Sequence, residues 1–259
     1  MDLAYLIAAG HERYREAANI AIRALRHLGG FRGDIAVLTD VPFRLPADVE
    51  QIPLEPADLG DRPVLKCRAG RKLDLECYQR VVYLDVDILV RAPLAPILDR
   101  CESGRLVATD DMGAKTVRDF FRRCFSSEEL ERYGGLPGIN AGFFCAPGKR
   151  LRDWLHIWEE TARECAGCPG HGFDQPPLNA AIRRGRIPLE YVPEQMCFLA
   201  HHWHAPDWAG AITEVYARTL QHAPLLHFTG MTVRPEQLRA MSNQYCYHLL
   251  CKPLRRLSA

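Results

Sequence analysis

No stretch of this chain approaches the roughly 20 consecutive apolar residues that cross a bilayer as a helix, so a conventional membrane span is excluded. A basic leader is missing as well. The first apolar run, Leu3-Ala4-Tyr5-Leu6-Ile7-Ala8, ends too early for a signal peptide, and a cytoplasmic location is expected, with at most peripheral membrane association. Net charge is nearly absent: 33 basic side chains face 32 acidic ones. A dedicated nucleic-acid binder would show a clustered basic domain, so no nucleic-acid partner is expected. Internal repeats and low-complexity tracts are also lacking, which removes solenoids and compositionally disordered segments from consideration.

What is present is a chain of 259 residues, 47% hydrophobic, long enough to bury a large core as one large domain or two closely joined ones. Ten cysteines are scattered through it. A chain of this size needs no disulfide staples, and several cysteines sit in apolar runs such as Phe143-Phe144-Cys145, so reduced thiols are expected. One spacing stands out, Cys165-x-x-Cys168-x-x-His171, which supplies three ligands of a zinc site with no clear fourth nearby. Incidental thiols in a Gly/Pro-rich loop are the commoner cause of such a match.

Hydrophobic periodicity gives a β-α-β start: a strand near Leu3–Ala8, a helix from about Glu12 to Leu28, and a strand over Asp34–Thr39. After a proline-rich connection, a helix is expected near Leu65–Tyr78 and then a strongly strand-like run, Val81-Val82-Tyr83-Leu84. Further strands are expected at Leu106–Thr109, Ala141–Cys145 and Leu225–Phe228, and further helices at Leu151–Cys165, Leu178–Arg184 and Pro235–Leu250. Alternating strands and helices imply an α/β fold, a mostly parallel central sheet flanked by helices on both faces. The basic tail, Lys252 to Leu257, reads as a solvated terminus, with weak attraction to anionic lipid as the alternative.

Asp85-Val86-Asp87 caps the Val81–Leu84 strand. Side chains two apart on an extended segment share a face, so both carboxylates can address one hard cation, Mn²⁺ or Mg²⁺, whose remaining positions suit substrate phosphates. The end of a central parallel strand is also where open α/β sheets bind ligands. Alone the pair is a weak signal, because solvated turns often carry it. A specific competitor is the haloacid-dehalogenase phosphatase motif, but that motif has Thr or Val where Leu89 stands here.

Other polar groups follow. Asn140-Ala141-Gly142 enters an apolar strand, where Asn can bond sugar hydroxyls and Gly admits close approach, or both can simply shape a turn. Asp174-Gln175-Pro176-Pro177 reads as a helix start that leaves a carboxylate and an amide at a loop junction. His227 ends a short apolar run, with Gly230 and Arg234 just beyond; imidazole suits Mn²⁺, and Arg holds phosphate through paired hydrogen bonds.

In order, these blocks resemble glycosyltransferase family 8, the retaining group that includes glycogenin and bacterial lipopolysaccharide galactosyltransferases. The resemblance runs from Leu3 to about Arg234. Val81 to Val90 looks like the family's metal strand, Asn140-Ala141-Gly142 like its Asn-(Ala/Ser)-Gly segment, Asp174-Gln175 with Leu178-Asn179 like its helix start, and His227-Phe228-x-Gly230 like its His-Phe-x-Gly signature. It implies a GT-A fold over residues 1–259, with a nucleotide-binding half to about 110, a donor-sugar and acceptor half to about 234, and a C-terminal helix and tail. It implies that Asp85, Asp87 and His227 hold the metal. Asn140, Ala141, Asp174 and Gln175 would line the donor-sugar pocket, with Gln175 near the reacting carbon.

By the same resemblance, Ala8, Ala9, His11 and Tyr14 surround the nucleotide, Asp110 or its neighbour Asp111 contacts sugar, and Gly230 and Arg234 attend the diphosphate. Two departures are visible. Val233 stands where the family commonly has Lys, so the diphosphate contact is either moved by one residue to Arg234 or absent. Lys66, Arg68, Arg71 and Lys72 compete for the family's basic donor contact, with Arg71 the choice. The expected activity is hexose transfer, with retention, from a nucleotide-diphosphate sugar (UDP-sugar) to a carbohydrate, lipid-linked glycan or protein hydroxyl. The alternatives are the phosphatase, with Asp85 as nucleophile, and a non-catalytic sugar-nucleotide-binding module. Trp203, Trp208, His201, His202 and His204 are candidates for an acceptor surface or for packing.

Overall fold

The computed structural model describes residues 1–110, 116–118, 122–166, 174–192, 197–199 and 224–227. The expected helix over Pro235–Leu250, the basic tail, Asp111, Cys168, His171, the Trp203/Trp208 segment with its histidines, Gly230, Val233 and Arg234 lie outside the described residues.

The chain opens with β1 (Asp2–Ile7), α1 (Glu12–His27), β2 (Asp34–Thr39) and β3 (Val49–Pro53), followed by the short helices α2 (Pro56–Leu59) and α3 (Leu65–Gly70). The helix expected over Leu65–Tyr78 thus breaks after Gly70 and resumes as a 3-10 turn at Leu75–Cys77. Next come β4 (Arg80–Leu84), β5 (Ile88–Val90), α4 (Ala95–Leu98), β6 (Leu106–Asp110), α5 (Ser127–Tyr133), β7 (Ile139–Pro147) and α6 (Gly148–Glu164). The last elements are α7 (Gln175–Arg183), β8 (Leu189–Tyr191), β9 (Cys197–Leu199) and β10 (Leu225–His227).

Seven strands form the main sheet in the order β3-β2-β1-β4-β7-β6-β8. β3, β2, β1 and β4 are mutually parallel, β7 runs antiparallel to both β4 and β6, and β8 is parallel to β6. A second sheet, β5-β10-β9, pairs His227 with Ile88 across an antiparallel ladder. Of this small sheet the sequence expectation contains the strand at Leu225–His227 but not β5 or β9 as separate strands, each only three residues long.

Alternation along the strands sorts side chains between two cores. Ala4, Leu6 and Ala8 face a cluster built with Ala17, Ala18, Ala21 and Leu25 of α1 and Ile97 and Leu98 of α4. Leu3 and Tyr5 face the other, with Cys67 and Ala69 of α3, Trp154, Leu155 and Trp158 of α6, and Leu178 and Ile182 of α7. Helices therefore cover both faces of the sheet, as the sequence implies. Within the second core, Tyr5 contacts Tyr83 at 5.0 Å between ring centroids, Tyr83 stacks on Phe144 at 4.9 Å, and Phe144 meets Trp158 edge-on at 5.9 Å. Such offset and edge-on pairs satisfy the ring quadrupoles.

Cys101 and Cys145 lie Sγ against Sγ, with their Cα atoms 6.5 Å apart. Each lies in an apolar environment, as its sequence context says, but only the packing of the 3-10 segment Asp99–Ser103 against β7 brings the two together.

Candidate functional site

β1, β2, β4 and β6 all point their carboxyl ends to one edge of the main sheet, and antiparallel β7 starts there. Open α/β sheets bind ligands at such an edge. Ala8 and Ala9 after β1, Asp85 after β4, Asp110 at the end of β6 and Asn140-Ala141 at the start of β7 consequently share it.

The two carboxylates converge by a turn rather than by strand alternation. β4 ends at Leu84, and Ile88 donates its backbone N–H to the Asp85 carbonyl at 3.0 Å, closing Asp85-Val86-Asp87-Ile88 as a β-turn. The expectation that the strand carries both side chains is thereby revised. Asp85 is anchored from behind by its own N–H, which donates to the Gly142 carbonyl at 2.8 Å. β10 then brings His227, buried on the second sheet, over the turn. Its Nε2 lies 3.3 Å from Asp87 Oδ1 and 3.9 Å from Asp85 Oδ2, and one ligand atom from each of the three residues lies within 4.8 Å of the others.

Gly142 makes this convergence possible. A Cβ there would overlap His227 Cε1 and stand 2.9 Å from both Asn140 Oδ1 and Asp85 Oδ2. The Asn140 amide oxygen instead accepts the Gly142 N–H at 2.8 Å.

Among the described residues, Lys66 of α3 brings a cation to this site. Its Nζ reaches Asp85 at 3.1 Å, Asp174 Oδ2 at 2.7 Å and the Ala141 carbonyl at 2.9 Å, and lies 5.1 Å from the centre of the Tyr83 ring. The Tyr83 hydroxyl donates a short hydrogen bond to Asp85 Oδ1. Arg71, the basic residue chosen from the sequence, turns instead toward α6, pairing with the buried Glu159 and reaching His156 Nδ1 at 3.1 Å. Arg68 also pairs with Glu159, and Lys72 pairs with Asp58. The sequence names the four basic residues; the one-turn helix α3 decides which of them faces the carboxylates.

At the start of α7, Gln175 Oε1 accepts the Ala141 N–H at 3.2 Å, and the Asp174 carbonyl accepts the Trp158 indole N–H at 3.0 Å. Asn179 is fully buried and clamps both backbone groups of Ile139, accepting its N–H at 2.8 Å and donating to its carbonyl at 2.9 Å. This residue fixes α7 to the first residue of β7, and so holds Asp174-Gln175 against Asn140-Ala141.

Around the β1 end, Ala8 is buried with both backbone groups used: its N–H donates to Leu38 O, and its carbonyl accepts the Thr39 hydroxyl at 2.7 Å. Gly10 has φ +90°, a conformation that favours glycine, and donates its N–H to Asp40 Oδ2 at 3.0 Å. His11 caps α1 by accepting the Arg13 N–H, while Tyr14 is half-buried against the α1 core with the Arg13 guanidinium 5.1 Å from its ring centre. Asp110 pairs with Ile139 through the backbone.

The electrostatics follow from these distances. Burial, with Asp87 adding like charge, holds Asp85 above the ordinary carboxylate range although Lys66 opposes the shift. Burial works to lower His227, but the nearby Asp87 and Asp85 carboxylates prevail and raise it. Its Nδ1 is buried with no hydrogen-bond partner among the described residues. With the proton on that nitrogen, Nε2 would direct a lone pair at two carboxylates, an arrangement of three donors that suits a divalent cation. Asp85 keeps 28% of its side-chain surface accessible and Asp87 18%, which leaves the cluster open on one side.

The chain is similar to crystal structures of glycosyltransferases. One is the galactosyltransferase LgtC in complex with donor and acceptor sugar analogs, at TM-score 0.63 and 17% identity over 100% of this chain and 98% of that one. The fold is GT-A. A second is an active-site mutant of LgtC with glutamate in place of glutamine, at TM-score 0.64 and 16% identity over 98% of this chain and 96% of that one. A third is mouse xyloside xylosyltransferase 1 in its apo form, at TM-score 0.61 and 14% identity over 90% of this chain and 100% of that one. No protein-family model and no curated protein matches the chain. Among the described residues of this GT-A chain, no helix is long and apolar enough to cross a membrane.

Proposed function

We propose that the chain is a metal-dependent retaining glycosyltransferase that moves a hexose from a UDP-sugar to an acceptor hydroxyl. The observation that carries this reading is the convergence of Asp85, Asp87 and His227 at the carboxyl edge of the GT-A sheet, beside Lys66, Asp174 and Gln175. Likeness to transferases, one of them holding donor and acceptor sugar analogs, supports it. An active-site glutamine in another of those structures supports the choice of Gln175. The phosphatase alternative lacks its scaffold, since the fold here is GT-A.

Asp85, Asp87 and His227 would hold the cation, and imidazole in the set favours Mn²⁺ over Mg²⁺. When bound, the cation supplies positive charge against the diphosphate as it departs. Lys66 bridges Asp85 and Asp174 and, among the described residues, takes the place expected for Arg71 beside the metal turn. Asn140, Ala141, Asp174 and Gln175 line the sugar pocket, with Asp110 or Asp111 as the sugar-contacting acid and Gln175 nearest the reacting carbon. Ala9, His11 and Tyr14 border the nucleotide, Ala8 shapes the loop beneath it, and Gly230 and Arg234 contact the phosphates. The departing phosphate takes the acceptor proton, so the chain needs no separate base.

Turnover of a UDP-sugar panel by the purified protein, with Mn²⁺ and with chelator, tests this reading. Mn²⁺-dependent release of UDP with an α-configured product from an α-linked donor is expected. UDP binding with neither transfer nor hydrolysis would instead establish the non-catalytic module.

A further inference from the structure

Two tyrosines stand side by side in the core that packs the sheet against α3 and α6, and their hydroxyls meet different surroundings. Tyr5 of β1 and Tyr83 of β4 pair in register across parallel strands, with their ring centroids 5.0 Å apart. Both are buried, at 0% and 1% of their surface. A phenylalanine ring fills such a core equally well, as Phe144 does in stacking on Tyr83 at 4.9 Å, so each hydroxyl needs its own explanation. The Tyr5 hydroxyl has no hydrogen-bond partner among the described residues and lies against Gly70, where an added Cβ would stand 2.8 Å from it. The Tyr83 hydroxyl donates to Asp85 Oδ1.

We propose that Tyr83 is a positioning residue of the cation site, holding Asp85 in its ligating orientation through that hydrogen bond; the proposal rests on the metal reading given above. An aspartate in a turn can rotate its carboxylate and offer a cation either oxygen or both. Here the two oxygens have different neighbours. Oδ1 takes the phenol, whereas Oδ2 lies nearest His227 Nε2, at 3.9 Å, and faces the space that Gly142 leaves open. The phenol thus reserves Oδ1 and leaves Oδ2 for a cation shared with Asp87 and His227. Lys66 does not make this distinction, because its Nζ reaches both oxygens at 3.1 Å.

Tyr83 can impose an orientation because it is itself fixed. Its strand is bonded on both sides, to β1 and to β7. Its ring is stacked on Phe144 and tilted against Tyr5, and the Lys66 ammonium lies 5.1 Å from its centre. A tyrosine that merely filled the core would use Asp85 to satisfy its own buried hydroxyl, and its loss would register in stability alone. A positioning residue registers in the metal as well. Hydrogen-bond partners of metal ligands are typically worth roughly 10- to 100-fold in metal affinity.

The test titrates Mn²⁺ alone into the purified full chain, with no sugar nucleotide present, and reads the unbound ion by electron paramagnetic resonance. Tyr83→Phe keeps the ring and its stacking and should weaken Mn²⁺ binding roughly 10- to 100-fold. Tyr5→Phe should bind Mn²⁺ as the wild type does. Saturating Mn²⁺ should also produce a tyrosine ultraviolet difference spectrum in the wild type and in Tyr5→Phe but not in Tyr83→Phe, because ligation draws charge from the carboxylate that accepts the phenol. Equal Mn²⁺ affinity in Tyr83→Phe and the wild type overturns the role of Tyr83 and leaves the metal site standing. An equal loss in Tyr5→Phe overturns it too, since the aromatic packing and not the hydrogen bond would then be responsible. A wild type that binds Mn²⁺ with no tyrosine difference spectrum overturns it whether or not the variants fold. A wild type that binds no Mn²⁺ overturns the metal reading itself, and this proposal with it.

Discussion

Gly142→Ala places one methyl group where three groups of the metal site meet. The new Cβ would overlap His227 Cε1 and approach Asn140 Oδ1 and Asp85 Oδ2 at 2.9 Å, well inside the roughly 3.5 Å at which carbon contacts are comfortable. A carboxylate can rotate away, but the His227 ring is 4% accessible and held on β10 between β5 and β9. Displacement therefore falls on the imidazole. Overpacking a filled site costs about 1–3 kcal/mol. If the strain is relieved only by moving His227 off the ligand geometry, Mn²⁺ affinity falls by about 5-fold to 150-fold at roughly 1.4 kcal/mol per decade. Calorimetric titration of Mn²⁺ into the wild type, Gly142→Ala and the control Gly135→Ala, whose added Cβ meets nothing within 4 Å, measures the effect. Equal affinity in the wild type and Gly142→Ala, with a folded variant, would refute the reasoning that Gly142 reserves the space for His227.

Asn179→Ala should cost about 2–5 kcal/mol, because it strips hydrogen bonds from a buried N–H and a buried carbonyl of Ile139 together; urea unfolding checks this. Glu159→Ala removes the carboxylate shared by Arg68, Arg71 and Arg163 between α3 and α6. Since those arginines are partly exposed, a loss of about 2–4 kcal/mol is expected, and Glu159→Gln should recover part of it. Glu129 is held below the ordinary glutamate range by the Arg184 hydrogen bond, despite the opposing effect of desolvation. Its contribution is therefore complete above the ordinary glutamate value of 4.5 and is lost as pH falls through its lower folded value. Unfolding curves of wild type and Glu129→Gln should consequently differ at neutral pH and draw together in acid.

Local chemistry made much of this molecule legible. Short continuous apolar runs in Asp2–Ile7, Asp34–Thr39 and Arg80–Leu84 announce strands, and the small-residue face of α1 announces the helix between the first two. Asp85, Asp87 and His227, distant in sequence, were joined by their resemblance to an ordered family pattern, and the fold brings them together. What sequence could not decide depends on three-dimensional neighbours. Lys66 and Arg71 are both basic residues of the α3 segment, but the direction of a short helix sends one to Asp85 and the other to Glu159. The Asp85–Ile88 turn looked like a continuing strand because Val86 and Ile88 carry the apolar alternation through it. The Cys101–Cys145 contact and the packing of Cys124 with Cys165 join positions with no shared motif, so only the fold reveals them.

The central claim is that Asp85, Asp87 and His227 form a cation site that docks a nucleotide diphosphate. Isothermal titration of UDP into the purified chain, with Mn²⁺ and then with excess chelator, measures it most directly, alongside Asp87→Ala. The account predicts binding with Mn²⁺ that weakens at least tenfold, by about 1.4 kcal/mol or more, in chelator and in the variant. Equal UDP affinity with and without the cation, and in Asp87→Ala, would contradict it.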